Sequence, residues 1–235
     1  MPYLNFLADK SLIAAVGKVV RIIEISQHEA NNNLHKNVID PFSALFHGAT
    51  QIITYKEWIE QEKARQSQKT MQNAIGDFHQ EILGAITGWK NLGVGGGLDV
   101  VNDKMKIIAE VKNKFNTTKG SHKVEIYDAI KSKLKSKEFA RYTGYYVEII
   151  PPGKNIYNKP FIPSDNKTKR NRPALKNIRI IDGVSFYAIA AGRKYALQEL
   201  FEAVSSVLVN EFKFKLSKEE ADKYFELFKL AFIVK

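Results

Sequence analysis

Between residues 89 and 114 the spacing of apolar residues changes. Upstream it follows the three-to-four residue period of helices; here it becomes short apolar runs broken by glycine and by Asn102-Asp103-Lys104. The segment 106–113 predicts a strand, and its run Ile107-Ile108-Ala109 leads straight into Glu110 and Lys112. Charges in a buried strand cost several kcal/mol unless they are paired or hold a metal ion. A fold that accepts this segment must therefore give those charges a partner or a task.

A second strand is predicted at 98–101, so the turn at 102–104 joins the two into a β-hairpin with Asp99 on one strand and Glu110 on the other. Side chains alternate along a strand, so Glu110 and Lys112 share a face, Val111 points away, and Asp99 can face the same side. Two converging carboxylates offer hard oxygen ligands of the kind Mg²⁺ accepts, with the Val111 carbonyl as a further ligand. Such an ion polarises a phosphoryl oxygen, and Lys112 can orient water or neutralise charge on a scissile phosphate. Other acid-x-lysine triplets occur, Asp165-Asn-Lys167 and Glu211-Phe-Lys213, but the first falls in a loop and the second at a helix end. Neither has an acidic partner on a neighbouring strand, whereas an ordinary surface salt bridge is the competing reading at Glu110 and Lys112.

The wider composition agrees with a phosphate-bearing partner. Lys and Arg number 36 against 25 Asp and Glu, a formal net charge of +11, which favours a polyanion and above all nucleic acid. An apolar run long enough to span a membrane is missing, as is a strongly basic amphipathic helix, so no membrane partner is expected. With no cysteine there are no disulfides, thiolate metal sites or cysteine nucleophiles. The N-terminal segment lacks the pattern of a signal peptide, and an intracellular, cytoplasmic protein is expected.

Around the hairpin the chain reads as helix at 11–33, a short helix from Asp40-Pro41 to Phe46, and mostly helix over 54–87. After it come a helix at 121–139, a strand at 145–150 stopped by Pro151-Pro152-Gly153, a loop-rich basic stretch over 153–177, and a strand at 178–181 turning at Asp182-Gly183. Two or three helices finish the chain, including 195–211 and 217–233, the last capped by Ser217 with Glu220. The order predicts an α/β fold with a mixed sheet flanked by helices. We divide it as one domain with a helical N-terminal part at 1–69, a core at 70–191 and C-terminal helices at 192–235.

Other chemistries fit poorly. Gly93-Val-Gly-Gly-Gly97 is not followed by Lys-Ser/Thr or a helix, which argues against a phosphate-cradling loop; a close backbone approach to DNA or metal fits better. The Gly-x-Ser-x-Gly of serine hydrolases is absent, and the five histidines have no metal-ligand spacing. His79 shares a helix with Glu81 and is read equally as near the site or as core.

The pattern of Asp99, ten residues, then Glu110-Val-Lys112 on a hairpin resembles the PD-(D/E)XK nuclease superfamily, with Leu98 where a proline often stands. Four stretches extend the likeness: Phe78-His79-Gln80-Glu81-Ile82-Leu83-Gly84, Gly95-Gly96-Gly97-Leu98-Asp99-Val100, Ala109-Glu110-Val111-Lys112-Asn113-Lys114-Phe115-Asn116-Thr117, and Ile181-Asp182-Gly183-Val184-Ser185-Phe186-Tyr187. Together they are similar to the type II restriction endonucleases that cleave GGNCC-type sites, over about residues 73–200.

The resemblance implies a homodimer that cuts both strands of a palindromic double-stranded DNA site and leaves 5′-phosphates, alongside a cognate DNA methyltransferase protecting the same site. Asp99 and Glu110 are then ligands of Mg²⁺ and Lys112 the catalytic lysine. Glu81 on the preceding helix is the candidate for a further metal ligand, with Asp77 second. For DNA contacts the candidates are Asn113, Lys114, Asn116 and Lys119 after the catalytic strand, and Lys167, Arg170 and Arg172 in the basic loop. Most such side chains touch phosphates rather than read bases. A structure-specific repair nuclease or junction resolvase, and a non-catalytic DNA-binding protein, are the alternatives carried forward.

Overall fold

The architecture follows from a computed structural model describing residues 1–34, 37–93, 97–165 and 167–233. Of the features above, His35, Val94, Gly95, Gly96 and Asn166 lie outside the described residues. The chain divides into two compact units, one of Met1–Val16 with Phe78–Lys235 and one of Gly17–Asp77. The first sixteen residues belong to the larger unit.

The smaller unit is helical. It holds most of α1 (Asp9–Asn32), all of α2 (Pro41–Gln51) and the longer part of α3 (Tyr55–Ala85). Asp40 caps α2 as its sequence suggests, accepting from the amides of Phe42 and Ser43, with Pro41 in the first turn. That helix runs five residues past the expected stop at Phe46, to a left-handed Ile52. Ser26 and Ser67 bond across α1 and α3 at 3.0 Å.

The larger unit is built on a six-stranded mixed sheet. Its strands are β1 (Trp89–Asn91), β2 (Val100–Asn102), β3 (Ile107–Lys114), β4 (Thr143–Ile150), β5 (Asn158–Pro160) and β8 (Ile178–Asp182), in the order β1-β2-β3-β4-β8-β5. The predicted hairpin is present: β2 and β3 are antiparallel, with Val100 opposite Ala109. β3, β4 and β8 run parallel, while β1 and β5 are antiparallel to their neighbours. Parallel strands need a crossover, and α4 (Gly120–Lys135) provides the one between β3 and β4.

Alternation gives each face of the sheet its own core. On one face Ile108 of β3, Tyr146 of β4 and Ile178 of β8 pack with Ile126, Tyr127, Ile130 and Leu134 of α4 and with Phe161. Gly144 of β4 admits that helix, since a Cβ there would run into Ile130. Tyr145 and Trp89 point to the other face and meet Phe186 at ring-centroid distances of 5.8 and 5.4 Å. Phe186 lies on α5 (Gly183–Ala191), which begins directly on β4, because a Cβ at Gly183 would collide with the Ile149 backbone.

Two expectations change. Asp182-Gly183 is not a turn: Asp182 ends β8 and caps α5, accepting from the Ser185 amide. Asp-Gly signals a turn and a helix start equally, and packing against Ile149 decides between them. The stretch 153–177 is also more structured than a loop. It contains β5 and a small hairpin of β6 (Ser164–Asp165) with β7 (Arg170–Asn171). Helices α6 (Ala196–Asn210) and α7 (Lys218–Ala231) complete the unit, α7 opening with the Ser217–Glu220 capping box. No helix among the described residues is long and apolar enough to cross a membrane.

Candidate active site

Asp99 sits in the bend just before β2, and its backbone continues the ladder. Its amide donates to the Ala109 carbonyl at 2.9 Å, and its carbonyl accepts from Leu92 at 2.8 Å. Because the Asp99 carbonyl faces β1, the next amide of β3, Val111, takes a carboxylate partner instead. It donates to Asp99 Oδ2 at 2.6 Å. The side chain completes a rung of the sheet and is thereby fixed. A charge-assisted bond of this kind is among the stronger ones a backbone amide makes.

Glu110 and Lys112 project from the face of β3 that carries Ile108 and α4. Lys112 Nζ lies 2.6 Å from Glu110 Oε1, with side-chain exposures of 27% and 15%. These charges are half-buried: close enough to the surface for a substrate, and shielded enough that their attraction exceeds that of a surface pair. The expected convergence of Glu110 and Lys112 is present, and Asp99 is tied to the amide between them.

Directly opposite Glu110 in the parallel register stands Tyr146 of β4, and opposite Lys112 stands Glu148. Glu148 is 2% exposed and doubly bonded. Its Oε1 is 2.7 Å from Lys123 Nζ of α4, and its Oε2 accepts from the Tyr157 hydroxyl. Burial and the neighbouring Glu148 carboxylate push the Tyr157 hydroxyl far above its ordinary range. Next to Glu148 on β8, Asp182 is fully buried and also receives the Tyr157 amide at 2.8 Å. A cavity of about 420 Å³ opens here, lined among others by Phe115, Lys123, Glu148, Tyr157 and Lys159. Sequence reasoning missed this second charged cluster. Its signal was present, since Glu148 interrupts the apolar strand Tyr145-Tyr-Val-Glu-Ile-Ile150 just as Glu110 interrupts β3.

The remaining candidates are dispersed. Glu81 is half-buried near the end of α3, and no three acidic or histidine side chains gather about one point among the described residues, so the structure does not bring it together with Asp99 and Glu110. Asp77 belongs to the smaller unit and is exposed. His79 is half-buried with its ring on the Tyr187 hydroxyl at 2.9 Å, where loss of water lowers its pKa to about 4. Asn113 and Lys114 are half-buried on β3, Asn116 is exposed in the 3-10 turn at Phe115–Thr117, and Lys119 is exposed at the start of α4. Lys167 and Arg170 are exposed on the β6–β7 hairpin. Arg172 differs: its guanidinium grips Asp128 of α4 at 2.7 Å and Asp165 at 3.0 Å. It therefore braces the basic hairpin against α4.

Residues 4–212 match the Eco47II restriction endonuclease family. The chain belongs to that family. The class follows with it, a type II restriction endonuclease, that is, a site-specific deoxyribonuclease. The type II restriction enzyme Eco47II of Escherichia coli is 38% identical over 239 residues, covering 99% of this chain and all of that enzyme. The type II restriction enzyme Sau96I of Staphylococcus aureus is 29% identical over 202 residues, covering 84% of this chain and 77% of that enzyme. The family match takes in both compact units, the hairpin and its supporting strands included.

Proposed function

We propose that this enzyme is a Mg²⁺-dependent endonuclease of the PD-(D/E)XK type that hydrolyses both strands of a short palindromic G/C-rich DNA site, GGNCC-like, and leaves 5′-phosphates. The observation that carries the reading is the set on the hairpin: a Glu110–Lys112 pair at 2.6 Å beside Asp99, whose carboxylate is pinned to the amide of the residue between them. The sheet, mixed and flanked by helices, suits that reading.

The donor set fits a magnesium ion. Asp99 and Glu110 are hard oxygen donors of the kind that Mg²⁺ accepts, one or two carboxylates being enough for an ion that keeps several waters. Asp99, Glu110 and the Val111 carbonyl would hold it, with Glu81 as an outer candidate. When bound, the ion supplies Lewis-acid polarisation of the scissile phosphate and a lowered pKa for a bound water. Lys112 contributes the rest from this chain: its ammonium leaves Glu110 for the phosphate oxygen on which charge develops, and orients the attacking water. Asp99 resists displacement because its second role is in the sheet.

Exposed cations at Lys167, Arg170 and Lys119, with Lys114, Asn113 and Asn116 nearer the catalytic strand, supply contacts to the duplex. A two-fold symmetric site calls for a homodimer, each subunit cutting one strand, and self-protection calls for a methyltransferase acting on the same sequence. GGNCC itself rests on the likeness described above.

Incubation with a long linear duplex and Mg²⁺ tests the proposal. Discrete fragments are expected, abolished by Glu110→Ala or Lys112→Ala while binding survives. Cutting confined to branched DNA would make it a resolvase, and binding without any cutting would leave a DNA-binding protein. Full activity in either variant removes the hairpin from the chemistry.

A further inference from the structure

Helix α2 is turned the wrong way round. A surface helix normally packs its large apolar residues inward and shows polar ones to water. Here Phe42, Leu45, Phe46 and Ala49 recur at the spacing of one helical face, and all four are exposed, the three large ones at 72%, 70% and 69%. Its half-buried positions are the small residues Ala44 and Gly48, and no residue of the helix is buried. Val38 before the helix and Ile52 and Tyr55 after it are more exposed still.

The chemistry of this face selects its occupant. Between Asp40 and Lys56 the sequence has no Asp, Glu, Lys or Arg. A duplex is held through cations on its phosphates, and helices that lie on anionic membranes carry Lys and Arg on their polar side, so neither partner suits it. A surface poor in charge and rich in aromatic residues has the make-up of the core of a protein–protein interface. At their exposures the six large side chains offer on the order of several hundred Å², more than scattered surface residues do and approaching the roughly 800 Å² that each partner gives a standard interface.

A second copy of the chain fits best. An apolar stripe is self-complementary across a two-fold axis. Two chains of net charge +11 repel over most of their surface, and an uncharged patch is where they meet at least cost. A rival exposed row, Tyr224, Leu227 and Leu230 on α7, begins after residue 212, where the family match ends, whereas α2 lies inside that match. An interface needed for cutting both strands belongs to the part the family shares.

We propose that α2 forms the dimer interface of this enzyme, its Phe42, Leu45 and Phe46 packing against the same residues of a second copy. The inference rests on the proposed two-strand cleavage for its choice of a second copy over another protein.

Sedimentation equilibrium of the full chain without DNA tests it, with far-UV circular dichroism as the check on folding. The parent is expected at twice the 26.7 kDa of one chain. Leu45→Glu combined with Phe46→Glu should raise the dimer Kd at least about a hundredfold with circular dichroism unchanged. Leu45→Ser and Phe46→Ser, made singly, should each raise it at least about tenfold, since every substitution is felt twice across the axis. These milder variants decide the matter if the double variant loses helix. Leu227→Glu should leave the Kd unchanged. A parent that sediments as a single chain at every concentration, a dimer that survives the α2 substitutions, or one broken by Leu227→Glu instead, overturns the proposal. Glu110→Ala, measured alongside for oligomeric state and cleavage, keeps the two readings apart. If it still cuts, the nuclease centre is misplaced and the interface stands; if it is inactive while the α2 variants stay dimeric, the interface fails and the nuclease centre stands.

Discussion

Glu110 and Glu148 interrupt neighbouring apolar strands on the same face of one sheet, yet the fold treats them differently. The Glu110 side chain is 15% exposed and shares a salt bridge with one lysine. That of Glu148 is 3% exposed and is bonded by Lys123 and by the Tyr157 hydroxyl. A carboxylate with one exchangeable partner near the surface is available for chemistry; one saturated by two donors inside the protein fixes other elements, here α4 and the segment entering β5. The charge-in-a-strand signal detects both and cannot tell them apart. The number of partners can.

Substitutions should separate them sharply. Glu110→Ala is expected to lower cleavage by more than about a thousandfold, since groups acting as one catalytic unit fail together. Its cost in stability should stay near about 1 kcal/mol, as expected for breaking a partly exposed pair. Glu148→Ala should do the reverse in kind, losing about 3 kcal/mol in urea unfolding by removing the acceptor of both Lys123 and the Tyr157 hydroxyl. Equal stability losses in the two variants would erase the distinction. Lys123→Met, keeping the stem over the Tyr146 ring while removing the charge, is expected to cost at least as much as Glu148→Ala, about 3–5 kcal/mol, because it leaves the buried Glu148 carboxylate without its counter-charge. A loss smaller than that of Glu148→Ala would show that the Tyr157 hydroxyl suffices for the carboxylate.

The smallest effects concern two arginines separated by a single residue. Arg170→Ala should leave melting unchanged but weaken duplex binding and reduce its salt dependence by about 0.9 in log–log slope, as expected when one phosphate fewer is neutralised. Arg172→Ala should leave that slope alone and lower stability by about 1 kcal/mol, because its charge is engaged with Asp128 and Asp165. If the slope responds to Arg172 instead, the brace doubles as a DNA ligand.

What the sequence disclosed was mostly local. The β2–β3 hairpin, its turn and the Glu110–Lys112 pairing are close in the chain and obey alternation, so they were legible. The parallel partner was not. Nothing between residues 107 and 150 states that β4 will lie beside β3 with Tyr146 against Glu110, because that pairing depends on α4 docking over Gly144. Arg172 illustrates the same limit. A cation in a basic loop reads as a DNA ligand, and nothing local in the sequence shows that the fold also brings Asp128 to it from 44 residues away. Asp182-Gly183 was ambiguous in principle, and only packing against Ile149 resolved it into a helix cap.

The bond from the Val111 amide to Asp99 also acts as a gauge of alignment. Sliding β2 along β3 by one residue would turn Glu110 and Lys112 to the opposite face relative to Asp99, and it would leave the amide without its carboxylate. On the proposed assignment of the centre, a misaligned hairpin is thus both less stable and without its catalytic arrangement. The convergent geometry of Asp99, Glu110 and Lys112 then forms only in the arrangement that also satisfies the backbone.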